Sequence, residues 1–245
     1  GDGGKPNIAF APDQRRISAF VHGEFDLAEN ATAFAEAQYA YTHVLSHNFV
    51  NAQQGAANQF TIFSGNAYLP AAVQALVTTN RLASFTLGRY ETDFPTVDID
   101  TRGRVRRAAL GLKGKFGNSG WNYDVSYTFG ETNSQVAERN LMNMRNLYAA
   151  VDAVRDANGT IVCRSTLSGF DPGCVPLNVF GEGAPSAAAI AYVTGASIQD
   201  LTLIQRVALA NVSGNLPDAV SLGAGPVSVA AGVEYRTEAA SQTSD

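Results

Sequence analysis

Nine residues, Trp121-Asn122-Tyr123-Asp124-Val125-Ser126-Tyr127-Thr128-Phe129, decide the fold of this chain. Apolar and polar side chains alternate in them without exception. Successive side chains of a β-strand point to opposite faces, so the stretch predicts a strand with one aromatic and one small polar face. A soluble sandwich would turn the aromatic face inward, whereas a membrane barrel would turn it toward lipid and the polar face toward a wet lumen.

The composition narrows the classes of protein. Charged residues make up 16% of the 245 residues, against about 25% in soluble domains. No apolar run reaches about 18 residues, which excludes a transmembrane helix but leaves barrel strands possible, because their alternation averages to neutral hydropathy. The mean hydropathy is −0.06. The net charge of −5 argues against nucleic acid as a partner.

The two cysteines, Cys163 and Cys174, enclose a short segment rich in turn-forming residues. Such a segment is able to close with a disulfide, which would place the protein in an oxidising compartment. No metal-binding or redox spacing competes for the pair. The alternative is two free thiols in a cytosolic protein.

Alternating stretches recur in pairs and predict three hairpins, at about residues 15–44, 102–133 and 202–238. Two long segments, about 47–100 and 134–198, separate the hairpins. Loops of this length are usually functional. Each is expected to contain short helical pieces, near 70–76 in the first, and over 141–154 and from Ser186 in the second. Gly159 is expected to end the 141–154 helix.

The connections predict the fold class. Short connections fall at one end of the strands and long ones at the other, which is the plan of outer-membrane barrels. About six strands cannot close such a barrel, since the smallest single-chain examples have eight, and lipid does not tolerate unpaired strand edges. We therefore expect an all-β, antiparallel up-and-down meander that forms part of a larger transmembrane β-barrel, with short helices in its long extracellular loops.

Three segments carry a family likeness, residues 173–181 around Cys174, residues 211–216, and residues 225–236. With them the chain resembles the middle of the barrel domain of TonB-dependent outer-membrane receptors, especially those of sphingomonad-like and caulobacter-like bacteria. The resemblance implies a 22-stranded barrel in the bacterial outer membrane. It also implies uptake of a scarce nutrient such as a siderophore, cobalamin or a saccharide, energised by TonB acting on a plug domain.

The chain departs from that pattern in what it lacks. We expect no plug domain, no TonB-contacting box and no signal peptide within these 245 residues, which begin Gly1-Asp2-Gly3-Gly4-Lys5-Pro6. We expect a barrel piece that does not transport by itself. The partners implied are TonB through the absent plug, outer-membrane lipid and lipopolysaccharide, and a small-molecule ligand that the sequence does not name. No motif for a cofactor or for an enzyme is found.

Candidate ligand-binding residues are cationic or aromatic. Arg102, Arg104, Arg106 and the adjacent Arg107 are able to attract a carboxylate or phosphate, although a strand end that faces lipopolysaccharide or solvent explains them equally well. In the second long segment the candidates are Arg155, Arg164 and Phe170.

Four other polar residues are interpreted as having no catalytic or metal-binding role. His43 and His47 have a spacing that suits metal binding on a helix, but they lie at a strand end and are interpreted as solvated. Glu24 and Asp26 share a strand face and are interpreted as lumen-lining charge rather than as an acid/base pair.

Two alternatives to the receptor remain at the level of sequence. A soluble or secreted β-sandwich binding module would bury Tyr123, Tyr127 and Tyr235 under a second sheet. A passive porin-like barrel would differ from a receptor in having no plug domain.

Overall fold

The computed structural model describes residues 11–53, 59–217, 220 and 225–245. In chain order its elements are β1 (Asp13–Ala28), β2 (Ala31–His47), β3 (Ala52–Gln53), β4 (Phe60–Phe63), α1 (Ala71–Thr79), β5 (Ser84–Leu87), β6 (Arg89–Tyr90), β7 (Asp98–Lys115), β8 (Asn122–Met142), α2 (Met144–Val151), β9 (Ala153–Arg155), β10 (Ile161–Cys163), α3 (Arg164–Leu167), α4 (Ala187–Val193), β11 (Thr194–Asn215) and β12 (Ser228–Ser244).

Six long strands form one sheet in the order β1-β2-β7-β8-β11-β12. Each strand pairs with its neighbours among the long strands along the chain, so the predicted all-β antiparallel meander is confirmed. Three two-stranded sheets, β10-β9, β3-β6 and β4-β5, lie in the long connections.

The strands extend beyond the predicted hairpins. β8 continues to Met142 and β11 begins at Thr194, so the second long connection is shorter than the expected segment 134–198. Residues 134–140 are mostly polar on both strand faces, and a strand of that kind carries no apolar alternation for the sequence to show. The expected leader loop at residues 1–14 lies outside the described residues up to position 10, and β1 begins at Asp13. The expected turn at 217–225 also lies largely outside them.

The chain divides into two compact units. The sheet unit contains Gln14–Val44, Thr101–Val136 and Ile198–Asp245, and the loop unit contains Leu45–Asp100 and Ala137–Ser197.

One face of the sheet unit, here called the polar face, carries ion pairs between strands. Lys113 Nζ lies 2.6 Å from Glu24 Oε1, so its side chain reaches from β7 to β1. Arg107 Nη1 lies 3.0 Å from Glu36 Oε2. His22 lies between these pairs, with its ring nitrogens 3.0 Å from Glu24 and 3.3 Å from Glu36.

The opposite face, here called the apolar face, contains the aromatic side of β8. The ring of Trp121 packs where a side chain at Gly214 would lie. The register between β11 and β12 places Tyr235 opposite Ala208 and Val233 opposite Ala210 on this face.

Several side chains of the apolar face are strongly exposed. Tyr127 is 41% exposed, Val233 is 68% exposed and Tyr235 is 70% exposed. The second sheet that the sandwich alternative requires over Tyr127 and Tyr235 is therefore not present among the described residues.

The loop unit has its own hydrophobic core. Side chains from β4, α2, α4 and the segment after Cys174 meet there; fully buried examples are Phe60, Ile62, Leu147, Leu177 and Val193. The helices predicted near 70–76 and from Ser186 correspond to α1 and α4, and Ser186 caps α4 by accepting a hydrogen bond from the backbone N–H of Ala189. Among the described residues, every helix is too short or too polar to span a membrane.

The helix predicted over 141–154 is α2, but it is shorter than expected. Leu141 belongs to β8 and Val154 belongs to β9. Gly159, expected to end the helix, instead lies in the turn between β9 and β10, with a φ of 81°. The Asp156 carboxylate accepts hydrogen bonds from the backbone N–H groups of Asn158 and Thr160, and this local pairing favours a turn over further helix.

Candidate functional site

Three of the predicted ligand-binding arginines form a row on β7. Arg102, Arg104 and Arg106 occupy alternate positions, so they share one face of the strand. Leu110 and Leu112 continue the same face and line a cavity of about 450 Å³ with Val125 and Tyr127 of the apolar face. The arginine row is therefore the polar continuation of the apolar face.

Arg102 and Arg104 line a cavity of about 230 Å³ in the sheet unit, together with residues of β8 and β11. Hydrogen bonds fix its other walls. Gln135 Nε2 donates to Asp200 Oδ1 at 2.9 Å, and Thr202 Oγ1 donates to Asn133 Oδ1 at 2.8 Å. A guanidinium next to amide and hydroxyl groups is suited to hold a phosphate or carboxylate.

Arg106 and Arg107 have different surroundings. Arg106 has an exposed side chain, and its Nη1 lies 4.0 Å from Oε1 of the partly buried Glu131. Arg107 points to the polar face and pairs with Glu36. The sequence grouped Arg107 with the other three arginines, but strand alternation separates it from them.

Two arginine candidates of the loop unit stabilise the unit itself. Arg155 Nη1 donates to the carbonyl oxygen of Gly159 at 2.9 Å, across the β9–β10 turn. Arg164 donates twice to Asp152, from Nε at 2.8 Å and from Nη2 at 3.2 Å. The hydrogen bonds with Asp152 raise the pKa of the Arg164 guanidinium, so this cation is firmly held by an internal partner.

Phe170 is an exposed aromatic candidate of the loop unit. Its side chain is 72% exposed. The guanidinium of Arg145 lies 5.4 Å from the centre of its ring. The pair offers an aromatic surface and a positive charge to a ligand at one place. The sequence missed Arg145 because α2 brings it to Phe170 from 25 residues away in the chain.

The six candidates thus belong to two units. Arg102, Arg104 and Arg106 lie in the sheet unit, and the other three lie in the loop unit. In the described residues no hydrogen bond or ring contact joins Arg155, Arg164 and Phe170 to one another.

Cys163 and Cys174 form a disulfide in the structure, with their Cα atoms 6.1 Å apart. Both half-cystines are buried in the core of the loop unit. The crosslink attaches the start of α3 to the segment that supplies Leu177 and Val179 to the core.

A buried charged group in the loop unit was not predicted. Arg89 Nη1 donates to Glu91, and Arg89 Nη2 donates to Asp93 Oδ2 at 2.6 Å. Burial raises the pKa of Asp93, but hydrogen bonds from Arg89 and from the backbone N–H of Gly183 outweigh it, and the net pKa is lowered. The alternate spacing of the three charges was visible in the sequence, although their burial was not.

The histidines and carboxylates singled out in the sequence have partners. His47 Nδ1 lies 2.7 Å from Asp98 Oδ1. Glu24 contacts Lys113 and His22, and Asp26 accepts a hydrogen bond from Thr32 at 2.7 Å. No group of three or more His, Cys, Asp or Glu side chains suited to a metal occurs in the described ranges.

No protein-family model and no curated protein matches the chain. Among solved structures, the chain is similar to the siderophore receptor PiuA from Acinetobacter baumannii, with 12% identity and a TM-score of 0.28 over 94% of this chain and 30% of that one. It is also similar to the ferric-catecholate import receptor Fiu from E. coli K12, with 11% identity and a TM-score of 0.29 over 97% of this chain and 34% of that one. The chain spans about a third of the length of these receptors. At such TM-scores, its function has to be inferred from its own residues.

Proposed function

We propose that the chain is a wall segment of an outer-membrane β-barrel receptor, and that its loop unit contributes to capture of a small-molecule ligand on the outside. The observation that carries the proposal is the contrast between the two faces of one sheet. The apolar face is exposed and aromatic, and the polar face carries ion pairs that bridge three strands, such as Lys113 with Glu24. This is the arrangement of a lipid-facing wall around a wet interior.

The two edge strands of the sheet favour the proposal that the sheet is part of a larger barrel wall. Within the described residues, β1 and β12 each pair with a strand on one side only. They are 16 and 17 residues long, and nearly all of their side chains are exposed. Lipid does not tolerate unpaired backbone groups, so strands from elsewhere in a complete barrel would continue the sheet at both edges.

On this proposal the arginine row points outward, because it continues the apolar face. Arg102 and Arg104 would then meet the phosphates of lipopolysaccharide above the apolar band, and a role in a luminal ligand site is less well supported for them. The exposed pair of Phe170 and Arg145 is the better candidate for ligand contact. It favours an anionic ligand with an aromatic or flat surface, whose uptake would depend on TonB and a plug.

The orientation of the sheet is testable with tryptophan fluorescence, because the chain contains one tryptophan, Trp121. In a Trp121→Phe background, Tyr127→Trp places a tryptophan on the apolar face and Thr128→Trp places one on the polar face of the same strand. In vesicles with brominated acyl chains, we expect at least twofold stronger quenching for Tyr127→Trp than for Thr128→Trp. Aqueous iodide is expected to give the opposite order.

The two variants are matched controls, since they differ by one position in β8. Equal quenching of both by brominated lipid would contradict a lipid-facing apolar face. Quenching of neither would support a covered, soluble sheet, and the membrane proposal would be withdrawn.

A further inference from the structure

Four buried side-chain atoms of the described residues have no hydrogen-bond partner: Gln53 Oε1, Glu91 Oε1, Asp93 Oδ1 and Ser165 Oγ. Three of the four belong to the group around Arg89 in the loop unit. An acceptor buried without a partner costs free energy, so three together indicate that something else occupies their lone pairs.

Strand pairing and the contacts of Arg89 bring the three side chains together. Gln53 is the register partner of Arg89 in the β3–β6 pair, so the two side chains lie side by side on one face. Glu91 follows Arg89 by two residues, and its backbone N–H donates to the carbonyl oxygen of Asn51 at 2.9 Å, which continues the pairing. Arg89 contacts both carboxylates, one with each terminal nitrogen. The Gln53 amide therefore flanks a guanidinium that holds Glu91 and Asp93.

The charges of this group do not balance. Two carboxylates face one guanidinium, which leaves a net charge of −1. The side chains of Arg89, Glu91 and Asp93 are only 10%, 1% and 12% exposed, respectively. A buried carboxylate whose charge is not compensated is strongly unfavourable. A bound cation would take the three oxygens as its ligands, and its positive charge would oppose the excess negative charge of the two carboxylates.

We propose that Gln53, Glu91 and Asp93 bind a hard metal cation of the calcium class. The donors are one amide and two carboxylate oxygens, with no thiolate or imidazole, and hard cations prefer such a set. Calcium is favoured over magnesium because it accepts irregular oxygen coordination, whereas magnesium requires a near-ideal octahedron and retains most of its water.

The cation would connect three distant parts of the loop unit. Arg89 Nη2 also donates to the carbonyl oxygen of Gly181 at 3.0 Å, and the backbone N–H of Gly183 donates to Asp93 Oδ2 at 2.8 Å. The group thus joins β3, the segment at 89–93 and the segment at 181–183. Binding would order these connections relative to one another inside the loop unit. The inference is independent of the membrane proposal, since it uses residues of the loop unit alone.

The test uses the 245-residue chain in detergent micelles after treatment with a chelator and its removal. Calorimetric titration with calcium chloride at pH 7 is expected to show one site. Calcium at about 100 times its Kd is expected to raise the Tm of the loop unit by about 5 °C or more. Magnesium is expected to bind at least tenfold more weakly.

Three variants test whether calcium binds at the proposed residues. Glu91→Gln is expected to raise the calcium Kd at least tenfold. Gln53→Met removes an oxygen that has no partner among the described residues, and it should weaken calcium binding severalfold. The calcium-free Tm of this variant, measured in parallel, reports any loss of folding. Asp152→Asn is the matched control: it removes one ion-paired carboxylate from the same unit and should leave the calcium Kd within twofold.

Two results would overturn the proposal. No heat of binding and no calcium-dependent Tm would mean that a proton or water satisfies the three oxygens. A calcium Kd unchanged in Gln53→Met and Glu91→Gln would mean that calcium binds elsewhere.

Discussion

Gly114 lies where neighbouring atoms of the sheet unit leave no room for a side chain. A Cβ atom there would overlap with the carbonyl oxygen of Asn30 and lie 2.8 Å from the hydroxyl of Tyr123. Gly114→Ala is expected to destabilise the chain by about 1–3 kcal/mol, because backbone atoms cannot move aside as a flexible side chain does. Urea unfolding in micelles, followed by the fluorescence of Trp121, measures this change.

Gly103 provides the control on the same strand, since a Cβ atom there meets nothing within 4 Å. Gly103→Ala is expected to be neutral or to stabilise by up to about 1 kcal/mol, through lower entropy of the unfolded chain. Equal destabilisation by both substitutions would show that the close approach at Gly114 is unimportant.

Tyr192 makes the loop unit sensitive to alkaline pH. Burial, together with a hydrogen bond donated to Asp171, raises the pKa of its hydroxyl to about 12. The unfolded tyrosine ionises near pH 10. The stabilising contribution is therefore complete below about pH 10 and is lost as the pH rises toward 12. Tyr192→Phe should flatten the decline in Tm over this interval, and an identical decline in the variant would contradict the assignment.

At the scale of elements, α2 begins with a cap that carries measurable stability. The side chain of Asn143 accepts a hydrogen bond from the backbone N–H of Asn146 at 3.2 Å. This cap orients the helix that buries Leu147 and Val151. Asn143→Ala is expected to lower the free energy of unfolding of the loop unit by about 1 kcal/mol.

Chemical denaturation followed by near-ultraviolet circular dichroism measures the loss at Asn143. Asn143→Ser is expected to recover most of the stability, because serine is a comparable cap. An equal loss in both variants would assign the effect to packing rather than to capping.

The long strands were predictable from sequence wherever one face is apolar and the other is polar, as from Trp121 to Phe129. The extension of β8 to Met142 was not, because residues 134–140 are mostly polar on both faces and show no apolar alternation. α2 was placed correctly in its centre, but periodicity alone did not show that the chain leaves the helix after Val151 and enters β9.

The candidate site was less predictable than the strands. The sequence identifies an arginine but not the group with which it pairs, and that partner decides its role. Arg164 forms an ion pair with Asp152, and Arg107 forms one with Glu36. The sequence also does not show whether a charged side chain is exposed or buried. The charges Arg89, Glu91 and Asp93 have the spacing of a solvated strand edge, yet they are buried because β3 and the segment near Gly181 pack around them.

At the scale of the whole molecule, the division into two units was not visible in the sequence. The core of the loop unit joins Phe60, Leu147 and Val179, which come from both long connections. Because these residues are far apart in the chain, no local pattern in either connection shows that they share one core.

The disulfide is expected to stabilise the loop unit. It closes a ring over a sequence separation of 11 residues within the core of the loop unit. Replacement of both cysteines by serine is expected to destabilise the loop unit by about 2–4 kcal/mol. Limited proteolysis of the oxidised, reduced and serine forms measures this, with the reduced protein matching the serine variant. Equal resistance of all three forms would show that the core does not need the crosslink.

The number of cysteines has a consequence for biogenesis. A chain with four cysteines has three possible ways to pair them, whereas a chain with two has one. Cys163 and Cys174 are the two cysteines here, so oxidation within one molecule has a single possible product. A general oxidant can therefore complete the covalent structure of the loop unit, and no isomerase is needed to correct wrong pairings.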